Sequence, residues 1–165
     1  MSEHEPVSPS RGQHPVATLF ARMKRWPLGA WLFSRAVSFK APYFSSIAGR
    51  FIELVPGRAV VRVRKRRSVT NHIGTVHAIA MANACELAAG TLTVITIPRS
   101  MRWIPKGMTI RYERKATTSV TATATIDHVF DEQVAVDLVV PVSVTDEAGQ
   151  VVVTADITMY VTPKP

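Results

Sequence analysis

The chain has 165 residues, 47% of them hydrophobic, which suits a single domain with a core that needs neither disulfides nor a structural metal. Its single cysteine, Cys85, excludes an intrachain disulfide, and its five histidines fall in no zinc-like Cys/His cluster. A net charge of +8 favours an anionic partner, whether nucleic acid, an anionic membrane or a phosphate-rich cofactor, without choosing among them.

Residues 1–16 are polar and proline-rich, show no periodicity, and read as a disordered tail. They lack the apolar centre of a signal peptide, and no uncharged apolar run reaches the roughly 18 to 20 residues that span a bilayer. A cytoplasmic protein is expected. Residues 17–165 are expected to form one domain that begins with a helical extension over 17–44. In that extension Leu19, Phe20, Met23 and Trp26 recur at helical spacing, as do Leu28, Leu32 and Phe33. Pro27 divides the segment into two short helices and Pro42 ends the second. Its aromatic and basic residues suit either a membrane surface or packing over the rest of the fold and the wall of an apolar pocket. Packing is the expectation, and membrane contact is not expected.

A hairpin follows, with strand-like residues 51–55 and 59–66 joined at Pro56-Gly57. Its second arm runs into Arg62-Val63-Arg64-Lys65-Arg66-Arg67. As a structural element this is a solvated strand face and turn. As a functional one it is a phosphate clamp, because guanidinium groups donate paired hydrogen bonds to phosphate. Arg64, Arg66 and Arg67 are the candidates. No recognition helix or aromatic-interleaved basic strand supports nucleic-acid binding.

Residues 75–92 are rich in Ala, Met and Leu, contain no proline, and predict one long buried helix. Asn71 or Thr75 is its candidate cap, and Gly90 its candidate end. Four strands are predicted after it, over 106–115, 119–127, 134–145 and 151–162, with a turn at 146–149. Pro141 within the third of these predicts an edge strand or a bulge. The whole predicts an α+β architecture: an antiparallel sheet of about six strands wrapped around one long central helix.

The chemistry concentrates in residues 71–90. Glu86 is the only charged residue between His77 and Pro98. A lone carboxylate in an apolar helix is either held by a partner or poised to take a proton, and it is a candidate base. The start of the helix offers unpaired N–H groups and the positive end of the helix dipole, so the Ala78 N–H is a candidate oxyanion donor. Cys85, with no His or Asp in helical register, reads as a core thiol.

This segment resembles the hotdog-fold thioesterases, in particular their PaaI-like branch. That branch carries an Asn, a G-x-x-H-G-G turn and then an acid on the central helix. Here Asn71 stands six residues before His77 and Glu86 nine after it, with Gly74 in the turn. The segment also resembles the neighbouring domain-of-unknown-function family 4442, which tends to carry Glu-Leu-Ala-Ala-Gly, here residues 86–90. The two glycines of the branch are Ala78 and Ile79 in this chain, which narrows the approach of a ligand while keeping the Ala78 N–H.

The resemblance implies a hotdog fold and hydrolysis of an acyl-CoA or acyl-carrier thioester, with coenzyme A as part of the substrate and no other cofactor. It implies a homodimer or dimer of dimers whose site lies at the subunit interface. Glu86 would act as base or nucleophile, Asn71 would position water, Ala78 would stabilise the oxyanion, and His77 would shape the turn beside Gly74. Helical phase agrees with a shared site, since nine residues at about 100° each put His77 and Glu86 on opposite sides of one helix. A non-catalytic acyl-thioester binding protein on the same fold is the alternative, and a peripheral membrane protein a further one.

Overall fold

The computed structural model describes residues 14–165. Most of the expected tail lies outside these residues. Its last three do not, because His14 accepts a hydrogen bond from the Val16 N–H at 3.3 Å and caps α1 (Pro15–Lys24). After the turn at Pro27 comes α2 (Gly29–Lys40), and a short 3-10 turn covers Pro42–Ser46. Both prolines thus stand where a helix stops, as expected.

The two helices meet through Gly29. A Cβ there would lie 1.7 Å from the Met23 carbonyl oxygen, so only glycine lets α2 start against the end of α1. Their inner faces bury Ala17, Phe20 and Phe33. The rings of Phe20, Phe33 and Phe51 form an edge-to-face trio with centroids 4.9, 5.6 and 6.4 Å apart. This joins both helices to the first strand of the sheet.

The six strands are β1 (Arg50–Val55), β2 (Arg58–Val63), β3 (Met101–Tyr112), β4 (Val120–Thr125), β5 (Val136–Thr145) and β6 (Val151–Pro163). They pair antiparallel throughout in the order β1-β2-β4-β5-β6-β3. Period-2 alternation decides the faces: β5 turns Leu138, Val140, Val142 and Val144 inward, and β6 turns Val153, Ala155, Ile157, Met159 and Val161 inward.

Between β2 and β3 runs α3 (Ala78–Thr96), 19 residues long. It lies across β2, β4 and β5, in the middle of the sheet. Its alanines and the inward Ala122 and Ala124 of β4 are small, which lets helix and sheet come close. This is the expected α+β arrangement.

Four local expectations are corrected. The helix starts at Ala78, not Thr75, and its cap is His77 rather than Asn71 or Thr75: the imidazole Nδ1 accepts from the Ile79 N–H at 3.1 Å. Residues 71–75 close a hydrogen-bonded loop of their own, and Thr70 bridges to Val76, so none of them is free to be helical. Gly90 does not end the helix but lies inside it, where an added Cβ would sit 3.1 Å from the Trp103 indole. β3 begins at Met101, because a bulge between Pro105 and Gly107 carries the strand past its proline. Finally, Pro141 is neither on an edge strand nor at a bulge. Its strand β5 is internal, but pairing with β4 runs only from Thr121↔Thr145 to Ala124↔Val142, so Pro141 falls one residue beyond that ladder.

Candidate active site

Four of the expected residues gather at the start of α3. Asn71 builds the loop that precedes it. Its Oδ1 accepts from the N–H groups of Ile73 (3.2 Å) and Thr75 (3.0 Å), while its Nδ2 donates to Thr75 Oγ1 at 2.8 Å. Gly74 donates its N–H to the Asn71 carbonyl at 3.1 Å and has φ +76, a conformation that favours glycine. His77 is exposed, caps the helix, and donates its own N–H to the Val69 carbonyl at 2.8 Å. Ala78 is the first helical residue, so its N–H is among those that an α-helix leaves without an internal partner.

Asn71 therefore serves chiefly as a scaffold. One N–H of its amide remains beyond the bonds it makes inside the loop. The expected phosphate clamp divides in the same way. Arg66 donates to Ser46 O (3.0 Å), Ile47 O (3.4 Å) and Ser68 Oγ (2.7 Å), which ties the loop to the end of the helical extension. Arg64 and Arg67 are exposed and take part in no ion pair among the described residues. Arg67 opens the short 3-10 turn Arg67–Val69, whose Val69 carbonyl receives the His77 N–H. The basic turn and the start of α3 are thus adjoining.

Glu86 stands apart from this group. Eight residues separate it from Ala78, or about 12 Å along the helix axis. It is half-buried, and no ion pair holds its carboxylate among the described residues. It belongs to the one stripe of α3 that the sheet leaves uncovered: Ile79 is exposed and Ala82, Glu86 and Val94 are half-exposed, while Ala84, Cys85, Leu87, Ala88 and Leu92 are buried. Burial pushes the Cys85 thiol up to about 12, which leaves it neutral and inert in the core.

Two residues beside that stripe were not singled out in the sequence. Trp103 covers Gly90 from β3, and Tyr112 at the far end of the same strand donates its hydroxyl to the Ala78 carbonyl at 3.3 Å. Burial raises the Tyr112 phenol, and the neighbouring Cys85 adds to this, so the hydroxyl stays a donor at neutral pH. The signal for both was the alternation along β3, which does not say what the strand lies beside. Since β3 is an edge strand, it flanks the open stripe and leaves its own outer edge without a neighbour among the described residues.

Three concavities lie elsewhere. One of about 570 Å³ sits on the outer face of the sheet among Thr109, Arg111, Thr123, Ser143 and Asp156. Two smaller ones adjoin Arg99 and His128, and Glu86 lines none of the three. Within one copy, Glu86 faces open surface. Among the described residues no group of three or more His, Cys, Asp or Glu side chains is arranged to hold a metal ion.

The model of the family described as domain of unknown function DUF4442 matches residues 29–161. This chain belongs to the DUF4442 family. A crystallised genomics protein, APC5556, is 46% identical to this DUF4442 chain, covers 90% of it and 99% of itself, and superposes with a TM-score of 0.79. A probable thioesterase from Pseudomonas aeruginosa is 22% identical over 84% of this chain and 97% of its own, with a TM-score of 0.71. A thioesterase from Haemophilus influenzae is 13% identical over 73% of this chain and 82% of its own, with a TM-score of 0.63. Identities this low bear on the fold alone, and the fold of this DUF4442 chain is the hotdog, as the motif implied. No curated protein matches the chain.

Proposed function

We propose that the protein hydrolyses an acyl thioester at a site shared between two copies, with Glu86 as the reacting carboxylate. The observation that carries this reading is the position of Glu86. It is the only charged side chain of α3, half-buried and in no ion pair among the described residues, on the one stripe of the helix that the sheet does not cover. The half-exposed aliphatic residues of β3 beside it, Met108 and Ile110, and the strand's open outer edge offer a surface for a second copy.

A partner docked there would bring its own Ala78 N–H and Asn71 loop toward Glu86, which one chain cannot do across about 12 Å of helix. Glu86 takes a proton from water, the resulting hydroxide attacks the thioester carbon, and the Ala78 N–H receives the developing oxyanion. Collapse breaks the C–S bond, and the thiolate takes back the proton from Glu86. Direct attack by the carboxylate is the other route, through an anhydride that water then opens. Label found in Glu86 after a single turnover in ¹⁸O-water identifies direct attack, because the base route never puts a water oxygen into the side chain. Arg64 and Arg67 are the free cations for a coenzyme A phosphate, with Arg66 holding their turn in place.

The test is thiol release from a panel of acyl-CoAs. Glu86→Gln keeps the shape of the side chain and loses its basicity, so the rate should fall at least about a hundredfold. Full activity in that variant sinks the assignment. A second reading, acyl-thioester binding without turnover, is favoured by Ile79: its N–H is taken by His77 and its side chain is 54% exposed where the related motif has glycine. Tight binding with no thiol release for any chain length supports that reading instead.

A further inference from the structure

The outer face of the α1–α2 pair does not share in the packing of its inner face. On α2 the exposed positions are Trp31, Leu32, Arg35, Ala36, Phe39 and Lys40, of which Leu32, Arg35 and Phe39 lie opposite the buried Phe33, Ser34 and Ser38. Phe39 is 91% exposed. The turn before the helix adds Trp26 at 72% and Leu28 at 69%, and the turn after it adds Tyr43. Leu28 has φ 66, a left-handed conformation that a leucine rarely adopts, so an apolar side chain is held outward at some strain. So many large apolar side chains exposed along one helix and its two flanking turns mark a contact surface rather than ordinary exterior.

The surrounding charge selects the occupant. Residues 14–50 carry Arg22, Lys24, Arg25, Arg35, Lys40 and Arg50 and no Asp or Glu. Two copies docked through this face would set cations against cations. An anionic bilayer is complementary in both respects. Its acyl boundary takes Leu28, Leu32 and Phe39, its headgroup level suits Trp26, Trp31 and Tyr43, and its surface charge attracts Arg25, Arg35 and Lys40. We infer that the outer face of α1–α2 docks the protein onto anionic membrane surfaces. The helices lie in the plane of the interface, held by their aromatic face and by their cations, while the one helix of the described residues that is long and apolar enough to span a bilayer, α3, stays mostly buried in the core.

Vesicle co-sedimentation of the full chain tests this. Vesicles of phosphatidylcholine with about a third phosphatidylglycerol should pull down the protein at low salt, and pure phosphatidylcholine or molar salt should release it. Trp31→Ser combined with Phe39→Ser, and separately Arg25→Glu combined with Arg35→Glu, should each weaken binding at least about tenfold. Arg114→Glu with Lys115→Glu, a change of the same charge away from the patch, should leave most of the binding intact. In Trp103→Phe, which leaves Trp26 and Trp31 as the fluorophores, the emission should shift to the blue on anionic vesicles. Circular dichroism and melting confirm that each variant folds. Absent co-sedimentation, or equal binding by the patch and control variants, overturns the proposal. So does a patch variant whose only change is a smaller solution mass, since the occupant is then a second copy.

Discussion

Tyr112 donates its hydroxyl to the carbonyl of Ala78 at 3.3 Å, and so ties the last residue of the edge strand to the first residue of the central helix. Trp103, at the other end of β3, lies against Gly90. These two contacts lay the strand alongside the open stripe that carries Glu86. Tyr112→Phe removes one exposed hydrogen bond and should lower stability by no more than about 1 kcal/mol. If the Ala78 amide receives the oxyanion, the same variant should lower kcat for thioester hydrolysis with little change in KM. A change in KM alone counts against that role.

Asn71 closes its loop with three side-chain hydrogen bonds, and the loop sets the start of α3. Asn71→Ala leaves the Ile73 and Thr75 N–H groups without their acceptor and should destabilise the protein by about 2 kcal/mol in urea unfolding. Asn71→Asp keeps the acceptor and should recover part of that loss. Wild-type stability in the alanine variant would show that the loop does not need its amide.

Gly29 permits the contact between the two N-terminal helices. In Gly29→Ala the new methyl meets the Met23 backbone at 1.7 Å, and backbone cannot swing aside as a side chain does. The helices must separate, at about 3 kcal/mol or more, and limited proteolysis should then cut first within 14–48. An unchanged melting temperature would contradict this.

His14 should make the docking of α1 sensitive to acid. Burial first, then the Arg99 and Lys164 charges, hold its pKa below the ordinary 6.5, and its neutral Nδ1 caps α1. A lowered folded pKa means that the unfolded chain takes up the proton more readily. The contribution is therefore complete above about 6.5 and is lost as pH falls through the lower folded value. His14→Asn supplies a cap that does not titrate. Between pH 7.5 and 5 its melting temperature should fall less than that of wild type, and parallel curves would exclude the effect.

Cys85 should resist thiol reagents. With its pKa raised from 9.0 to about 12 by burial, almost no thiolate exists at pH 8 in the folded protein. Labelling by a disulfide reagent should wait on unfolding and speed up sharply in urea. Unfolding should also become easier above about pH 9, where only the unfolded chain ionises. Prompt labelling of the native protein would place the thiol at the surface.

Much of the architecture was legible in the sequence because it is written in local periodicity. The Val/Thr alternation of 151–162 and the apolar run after residue 78 define a strand and a core helix under any packing. Pro56-Gly57 marks its hairpin because Gly57, at φ +84, adopts what other residues avoid. The start of α3 was misplaced because Asn71 and Thr75 suit a helix cap as well as they suit the loop they form with each other. Pro141 misled for a related reason: a proline shows that a rung is missing, but not which neighbouring strand has already run out.

The chain's own order of residues determined that a single carboxylate sits in the middle of an otherwise apolar helix, half a turn away from His77. It also determined that residues 14–50 are basic and aromatic with no acid among them. Tertiary structure alone decided what each of these faces. Pairing of β3 with β6 brings residues 101–112 beside α3 and leaves the Glu86 stripe open, and burial of Phe20 and Phe33 turns Trp31 and Phe39 outward. Those outcomes depend on contacts between residues far apart in the chain, and the free energy of such contacts leaves no mark in any local window.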